Sequence, residues 1–345
     1  PNRHVSCLLG LITFLGCVAS FNINPMTTGL HSAFSATRSS SIIGGTQRAV
    51  TFDRLLVNIG EDFNPETGTF RCRLPGAYYF SFTVGKFPKK MLSVMLVKNG
   101  MEVQAMAYNG YQNQDRKVQS QSVMIILKPM DSVYLLLQEN PRYAIYSNVG
   151  PYITFSGYLV YPDSTSSIGY LNNHLSPPDL HFPGCPPPVD AHYDWRRRRT
   201  SEEPRSAFSV ARTTSALGES KVRREREALT FDVEYVNIGG HFNKTSGRFT
   251  CHFPGAYYFA FTVGKHPRRA VSVKLMMGKG EVRAMVFDED IQSLLLSLKR
   301  GDTVWLYSQQ DDGYAVYSNQ GRYTTFSGFL VYPDDESMNL DRTFP

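Results

Sequence analysis

The chain of 345 residues carries a formal net charge of +6 and is 42% hydrophobic and 13% aromatic. With a mean hydropathy of −0.27 this is folded, β-leaning material rather than a disordered chain, long enough for two domains that each bury a core. After the first twenty residues no apolar run is long enough to span a bilayer, so membrane insertion is not expected; nucleic acid is not expected among the partners either.

At the start of the chain, Arg3 and His4 lead into an apolar run from Val5 to Val18, followed by Ala19 and Ser20. A short apolar stretch behind positive charge and ahead of small residues reads as a secretory signal over residues 1–20, so a secreted, extracellular protein is expected. That reading removes Cys7 and Cys17 and leaves Cys72, Cys185 and Cys251.

From residue 32 the chain is written twice. Val50 to Lys86 matches Leu229 to Lys265 without a gap, with Pro75 opposite Pro254 and Lys86 opposite Lys265, an offset of 179. Tyr146 to Asp163 matches Tyr317 to Asp334 at an offset of 171, so the second copy is eight residues shorter between these stretches. The difference places a variable loop or strand pair near Asn109 to Gln121. Two self-contained domains result, over 32–163 and 206–334, with a tail at 335–345.

Within each copy the pattern is one of short β-type runs. In the first these are Ala77–Val84, Leu92–Val97, Ser122–Leu127, Ser132–Leu137 and Thr154–Tyr161, bounded by turn clusters such as Asn64–Gly68 and Lys98–Gly100. No long helical periodicity intervenes, so the fold class is all-β, a sandwich or jelly roll. Alternation puts Phe70, Cys72 and Leu74 on one apolar face, with Arg71 and Arg73 toward water. Cys72 and Cys251 are accordingly expected as buried, unreactive thiols, one per core. For Tyr78, Phe80 and Phe82 alternation favours the domain core, and for Tyr79 and Tyr258 the opposite face.

Residues 164–205 change texture. Prolines at 177, 178, 183, 186, 187 and 188 precede Arg196, Arg197, Arg198 and Arg199 in a semi-stiff linker. Cys185 stands alone there and is a candidate for an intermolecular disulfide or an unpaired thiol. The arginine tract carries three readings: cleavage by a proprotein convertase, an anchor for heparan sulphate or another polyanion, or a solvated charge run. A second basic cluster, Lys221 to Arg226, has no counterpart in the first copy. Asn243-Lys244-Thr245 is an acceptor for N-linked sugar, whereas Asn64 is followed by Pro65 and cannot serve.

No catalytic spacing is present: no zinc-protease helix, nucleophile elbow, P-loop or dinucleotide fingerprint. His174, His181, Cys185 and His192 share the linker but match no structural zinc spacing, and Asp288, Glu289 and Asp290 read as a solvated loop. The sequence therefore points away from an enzyme.

In the first copy Phe52, Asn58, Phe63, Phe70, Gly76, Tyr78, Phe80 and Phe82 occur in order. Phe231, Asn237, Phe242, Phe249, Gly255, Tyr257, Phe259 and Phe261 repeat those intervals in the second. This series resembles the signature of the globular C1q domain, and the Ser-Ala-Phe-Ser openings at 32–35 and 206–209 and the Phe-Ser-Gly closings at 155–157 and 326–328 agree with it. The resemblance implies a ten-stranded antiparallel jelly roll of the kind shared with tumour necrosis factor, assembled as trimers. It also implies a cytokine-like or adipokine-like ligand for a cell-surface receptor, a homo-oligomer without cofactor, with calcium left open. No collagen repeat accompanies the heads. With two heads per chain, three chains can stack as two trimeric tiers, or two heads of one chain can share a single trimer. A soluble recognition protein for polyanions or microbial and glycan surfaces is the alternative function.

Overall fold

The computed structural model describes residues 31–108, 118–163, 204–218, 227–278, 281–286 and 291–334. Every regular element among them is a strand. The first head opens with β1 (Ala33–Arg38), β2 (Ile42–Ile43), β3 (Arg48–Ala49), β4 (Arg54–Ile59), β5 (Phe63–Asn64) and β6 (Thr69–Arg71). It continues with β7 (Gly76–Lys86), β8 (Leu92–Lys98), β9 (Met101–Tyr108), β10 (Val118–Leu127), β11 (Ser132–Leu137), β12 (Ala144–Tyr146) and β13 (Ile153–Pro162). One sheet runs β4-β1-β13-β7-β10 and the other β5-β6-β11-β8-β9, with β2, β3 and β12 as short additions.

The second head repeats this frame. β16 (Val233–Ile238), β14 (Ala207–Arg212), β26 (Thr324–Pro333), β19 (Gly255–Thr262) and β23 (Ile291–Leu298) make one five-stranded sheet in that order. β17 (Phe242–Asn243), β18 (Arg248–Thr250), β24 (Thr303–Ser308), β21 (Val273–Met277) and β22 (Glu281–Val286) make the other. A lip of β15 (Ala216–Leu217), β25 (Ala315–Tyr317) and β20 (Gly264–Lys265) completes it. Two five-stranded antiparallel sheets per head give the ten-stranded jelly-roll frame.

Aromatics fill the space between the sheets. Phe34 stacks on Phe63 with centroids 4.2 Å apart and meets Phe155 edge-on at 4.9 Å. In the second head Phe208 stacks on Phe242 at 4.5 Å and meets Phe326 edge-on at 4.9 Å. Offset-stacked and edge-on pairs are the favoured arrangements for rings with a negative face and positive rim. The six signature aromatics of each copy are buried in their own head. Asn58 donates Nδ2 to the Phe63 carbonyl at 2.9 Å and accepts the Phe63 amide, and Asn237 does the same with Phe242. Each Asn thereby imitates a strand across a turn that cannot pair its own backbone.

The glycine that closes each copy is a packing requirement. A Cβ on Gly157 would stand 2.6 Å from the Phe80 ring and 2.7 Å from Phe34; on Gly328 it would meet Phe259 and Phe208 at the same distances. Gly328→Ala is therefore expected to overpack the second core and destabilise it by roughly 1–3 kcal/mol. The measurement is thermal unfolding by circular dichroism; an unchanged melting temperature would contradict the packing argument.

Candidate functional site

The two heads share a third apolar cluster, distinct from either core. Ala77, Tyr79 and Met124 from the first head and Ala207, Val236, Ala260 and Phe329 from the second are buried together. Tyr161, Tyr235, Ile238 and Tyr258 are partly buried against them. Tyr79 lies 5.8 Å from Tyr258, edge-on, and 6.0 Å from Phe329. Burial holds the Tyr79 phenol well above its ordinary pKa. The seam thus pairs the outward face of β7, β10 and β13 of the first head with β14, β16 and β26 of the second, an apolar centre of the kind that drives association.

Hydrogen bonds surround that centre. The Met124 amide donates to Ser209 Oγ at 3.1 Å, and Thr325 Oγ1 donates to the Ser122 carbonyl at 3.2 Å. Tyr161 donates to the Leu330 carbonyl at 2.7 Å. Tyr235 donates to the Val103 carbonyl at 2.6 Å, and Arg322 Nη1 reaches the carbonyls of Glu102 and Val103 at 3.1 Å each. The Ala105 amide donates to the Gly321 carbonyl at 2.8 Å.

Bulges supply these contacts. Between β14 and β16 the register jumps from Ser209 opposite Val236 to Val210 opposite Glu234, leaving Tyr235 as the extra residue. Between β8 and β9 it jumps from Leu96 opposite Gln104 to Val97 opposite Glu102, leaving Val103 extra. An unpaired residue on a bulge is re-aimed and its carbonyl is released from the ladder. The bulged tyrosine of one head finds the released carbonyl of the other.

Beside the seam lies a cavity of about 970 Å³, lined by Pro75, Ile126, Lys128 and Tyr161 of the first head, by Ile238, His241 and Phe253 of the second, and by Arg205 just ahead of it. At the position that His241 occupies, the two copies differ in chemistry. In the first head Arg73 pairs with Asp62 at 3.0 Å, and Ser32 Oγ donates to that carboxylate at 2.6 Å. Arg73, expected to face water, is thus half-buried by its partner. In the second head the equivalent positions hold His241 and His252, stacked with centroids 4.2 Å apart, and Ser206 Oγ lies 2.8 Å from His241 Nδ1. Burial, and then the neighbouring imidazole, lower the His241 pKa from 6.5 to about 4.

Cys72 and Cys251 are buried, and each thiol donates to a carbonyl, Leu74 at 3.1 Å and Phe253 at 3.2 Å. Tyr78 and Tyr257 share those carbonyls at 2.7 Å. Burial pushes the thiols up to about 12 and about 11, so little thiolate forms at neutral pH. Asn243 is exposed, and its Oδ1 accepts the amides of Thr245 and Ser246 at 3.0 Å, closing the turn. Asn64 closes the matching turn in the first head.

Residues 1–20, expected as a secretory signal, together with Cys185, Arg196, Arg197, Arg198, Arg199, the basic cluster 221–226 and the acidic residues 288–290, lie outside the described residues. So does most of the variable segment expected at 109–121; its last four residues belong to β10, where Gln119 and Gln121 are buried. Among the described residues no group of three or more His, Cys, Asp or Glu is placed to hold a metal, and no helix is long and apolar enough to cross a membrane. Met124, Tyr161, Tyr235, Val236 and Arg322 were not singled out by the sequence. The available signal was comparison of the copies, where Arg322 stands opposite Pro151 and Tyr235 opposite Leu56.

These features define a two-headed, all-β chain whose candidate site is a surface for association. The family model for the C1q domain matches residues 33–160 and 207–331, so the chain belongs to the C1q domain family. Human complement C1q tumor necrosis factor-related protein 2 is 37% identical over 148 residues, covering 39% of this chain and 47% of that protein. Mouse complement C1q tumor necrosis factor-related protein 1 is 38% identical over 140 residues, covering 38% and 48%. This chain spans about half the length of these curated relatives. The globular domain of zebrafish complement 1qA aligns with 24% identity and a TM-score of 0.32, over 38% of this chain and 99% of that one.

Two outcomes are expected. Met124→Asp puts a charge into the dry centre of the seam and is expected to part the heads while leaving each core folded. X-ray scattering should show a larger radius of gyration with an unchanged strand signal in circular dichroism; an unaltered radius would contradict it. His241 binds a proton less readily folded than unfolded, so its stabilising contribution is complete above pH 6.5 and is lost as pH falls toward about 4. The denaturant midpoint of the native chain is expected to fall across that window, and His241→Asn to flatten the fall.

Proposed function

We propose that this chain is a secreted, non-enzymatic C1q-type signalling ligand that self-assembles through its heads and presents its loops to a cell-surface receptor. The observation that carries this reading is the seam. Two β sandwiches are joined through an apolar centre ringed by hydrogen bonds, a rigid scaffold of the sort on which exposed loops do the recognising. Family membership supports it, and the two relatives named above carry complement C1q and tumor necrosis factor in their own names.

Other features complete the reading. Residues 1–20 direct secretion, 32–163 and 206–334 are the heads, and 164–205 is the linker. Cys185 links chains, Asn243 carries sugar, and Arg196 to Arg199 either admit a convertase or touch polyanions. The net charge of +6 favours a second reading, multivalent recognition of polyanions such as heparan sulphate.

Cell binding by the purified chain separates the two. A protein receptor predicts saturable binding that survives high salt and heparinase and is lost when the segment around Gln112 is replaced. Binding that elutes with salt and vanishes when the four linker arginines become serine would instead establish polyanion recognition.

A further inference from the structure

The cavity beside the seam has walls from both heads, so a head by itself could not form it. Its volume of about 970 Å³ lies at the upper end of the range usual for small-molecule sites. The walls are apolar where the heads face each other: Ile126, 43% exposed, stands near the end of β10 on one side, and the half-buried Ile238 and Phe253 stand on the other. Two cations sit at the lip. The exposed Lys128 ammonium makes no hydrogen bond or ion pair among the described residues. The Arg205 guanidinium lies over the Tyr161 ring, 5.8 Å from its centroid, and donates from Nη1 to the Pro162 carbonyl at 2.8 Å, which fixes that charge in place. Asp163 is the one carboxylate among the described lining residues.

The second copy lacks the acids that the first has at this place. After β4 the first head reads Ile59-Gly60-Glu61-Asp62; after β16 the second reads Ile238-Gly239-Gly240-His241. Both carboxylates are thus absent from the copy that lines the cavity with this turn. His241 has Nδ1 engaged by Ser206 Oγ at 2.8 Å and its ring stacked on His252, so it adds a flat wall rather than a negative charge. Phe253 stands where the first copy has Leu74, which enlarges the apolar wall, and Arg205 stands where it has His31. An anion at the lip therefore meets two cations and one carboxylate, in a half-enclosed space where charges are screened less than on an open surface.

We infer that this cavity binds one amphipathic anion, a long apolar chain ending in a single carboxylate, with the carboxylate at Lys128 and Arg205 and the chain along Ile126, Ile238 and Phe253. The lining selects that chemistry. Apolar walls disfavour a fully polar ion such as phosphate, which would lose its water there without gaining partners. Two cations gathered at one end disfavour a neutral or cationic lipid, and they give a carboxylate charge-assisted hydrogen bonds. A sulphated polysaccharide needs a run of cations along a surface, whereas here the cations border an apolar hollow. Because both heads supply the walls, a bound chain also stabilises their pairing by mass action. The site goes beyond the signalling reading and does not rest on it.

The test uses the full-length chain, stripped of lipid on a hydrophobic resin and titrated by calorimetry with decanoate below its micelle concentration. Saturable binding of one decanoate per chain is expected. Decanol and decyltrimethylammonium carry the same chain without the negative charge and are expected to bind about tenfold more weakly or not at all. Lys128→Gln removes one charge-assisted contact and is expected to weaken decanoate binding about tenfold. Ile126→Trp fills the cavity and is expected to abolish binding. Both side chains are exposed, so each variant should keep the strand signal in circular dichroism. The inference fails if decanoate does not saturate at one per chain, if decanol binds as well as decanoate, or if either variant binds decanoate like the parent. In that last case the anion coats exposed apolar strands elsewhere on the heads. None of these results bears on the receptor, which the cell assay judges separately.

Discussion

Covering the outward faces of β7 and β10 of the first head with β14, β16 and β26 of the second is the constraint on which the remaining architecture depends. A jelly roll this rich in Phe and Tyr has more apolar surface than one sandwich interior can hide. Tyr78, Phe80 and Phe82 commit one side of β7 to the core, which leaves Tyr79 facing outward. Burying it against Tyr258 and Phe329 removes that surface from water, and the carbonyls exposed by nearby bulges are satisfied by Tyr235 and Arg322. Neither contribution is available to a head in isolation.

Duplication followed by unequal change explains the polarity of the pair. The cores stayed nearly superimposable in residue type, down to ring spacings of 4.2 Å and 4.5 Å at the central stacked pair. The surfaces diverged where one copy needed what the other did not. Arg322 stands at φ 54°, a backbone state closed to the proline at its counterpart, so only the second head can throw a cationic clasp over β9. The Asp62–Arg73 pair and the His241–His252 stack show the same divergence in electrostatics. The first is an ion pair and the second a stack of two imidazoles, in which burial holds His241 below its ordinary pKa. A single chain therefore carries two heads alike in frame and different in what they present.

Much of the frame was legible in the order of residues alone. The repeated spacing of aromatics, Asn and Gly defined two all-β heads and their boundaries of similarity, because core packing imposes the same volume and period on any copy of the frame. Burial of Cys72 and Cys251 and the split between Tyr78 and Tyr79 came from simple alternation, which holds wherever the strand is regular. The seam was not legible, because it is made where alternation breaks. A bulge adds one residue and reverses the faces of its neighbours further along the strand. The edge strands β4 and β16, where Leu56 and Tyr235 fall, therefore carry no period to read.

By itself, then, the amino-acid order determined what each half becomes, since a core is a local agreement between strand period and side-chain size. Which face of one half meets which face of the other was decided only in three dimensions. That choice turns on register jumps, on one positive-φ arginine and on carbonyls freed from a ladder. Such features sum contacts from several distant strands and leave no mark in any one of them.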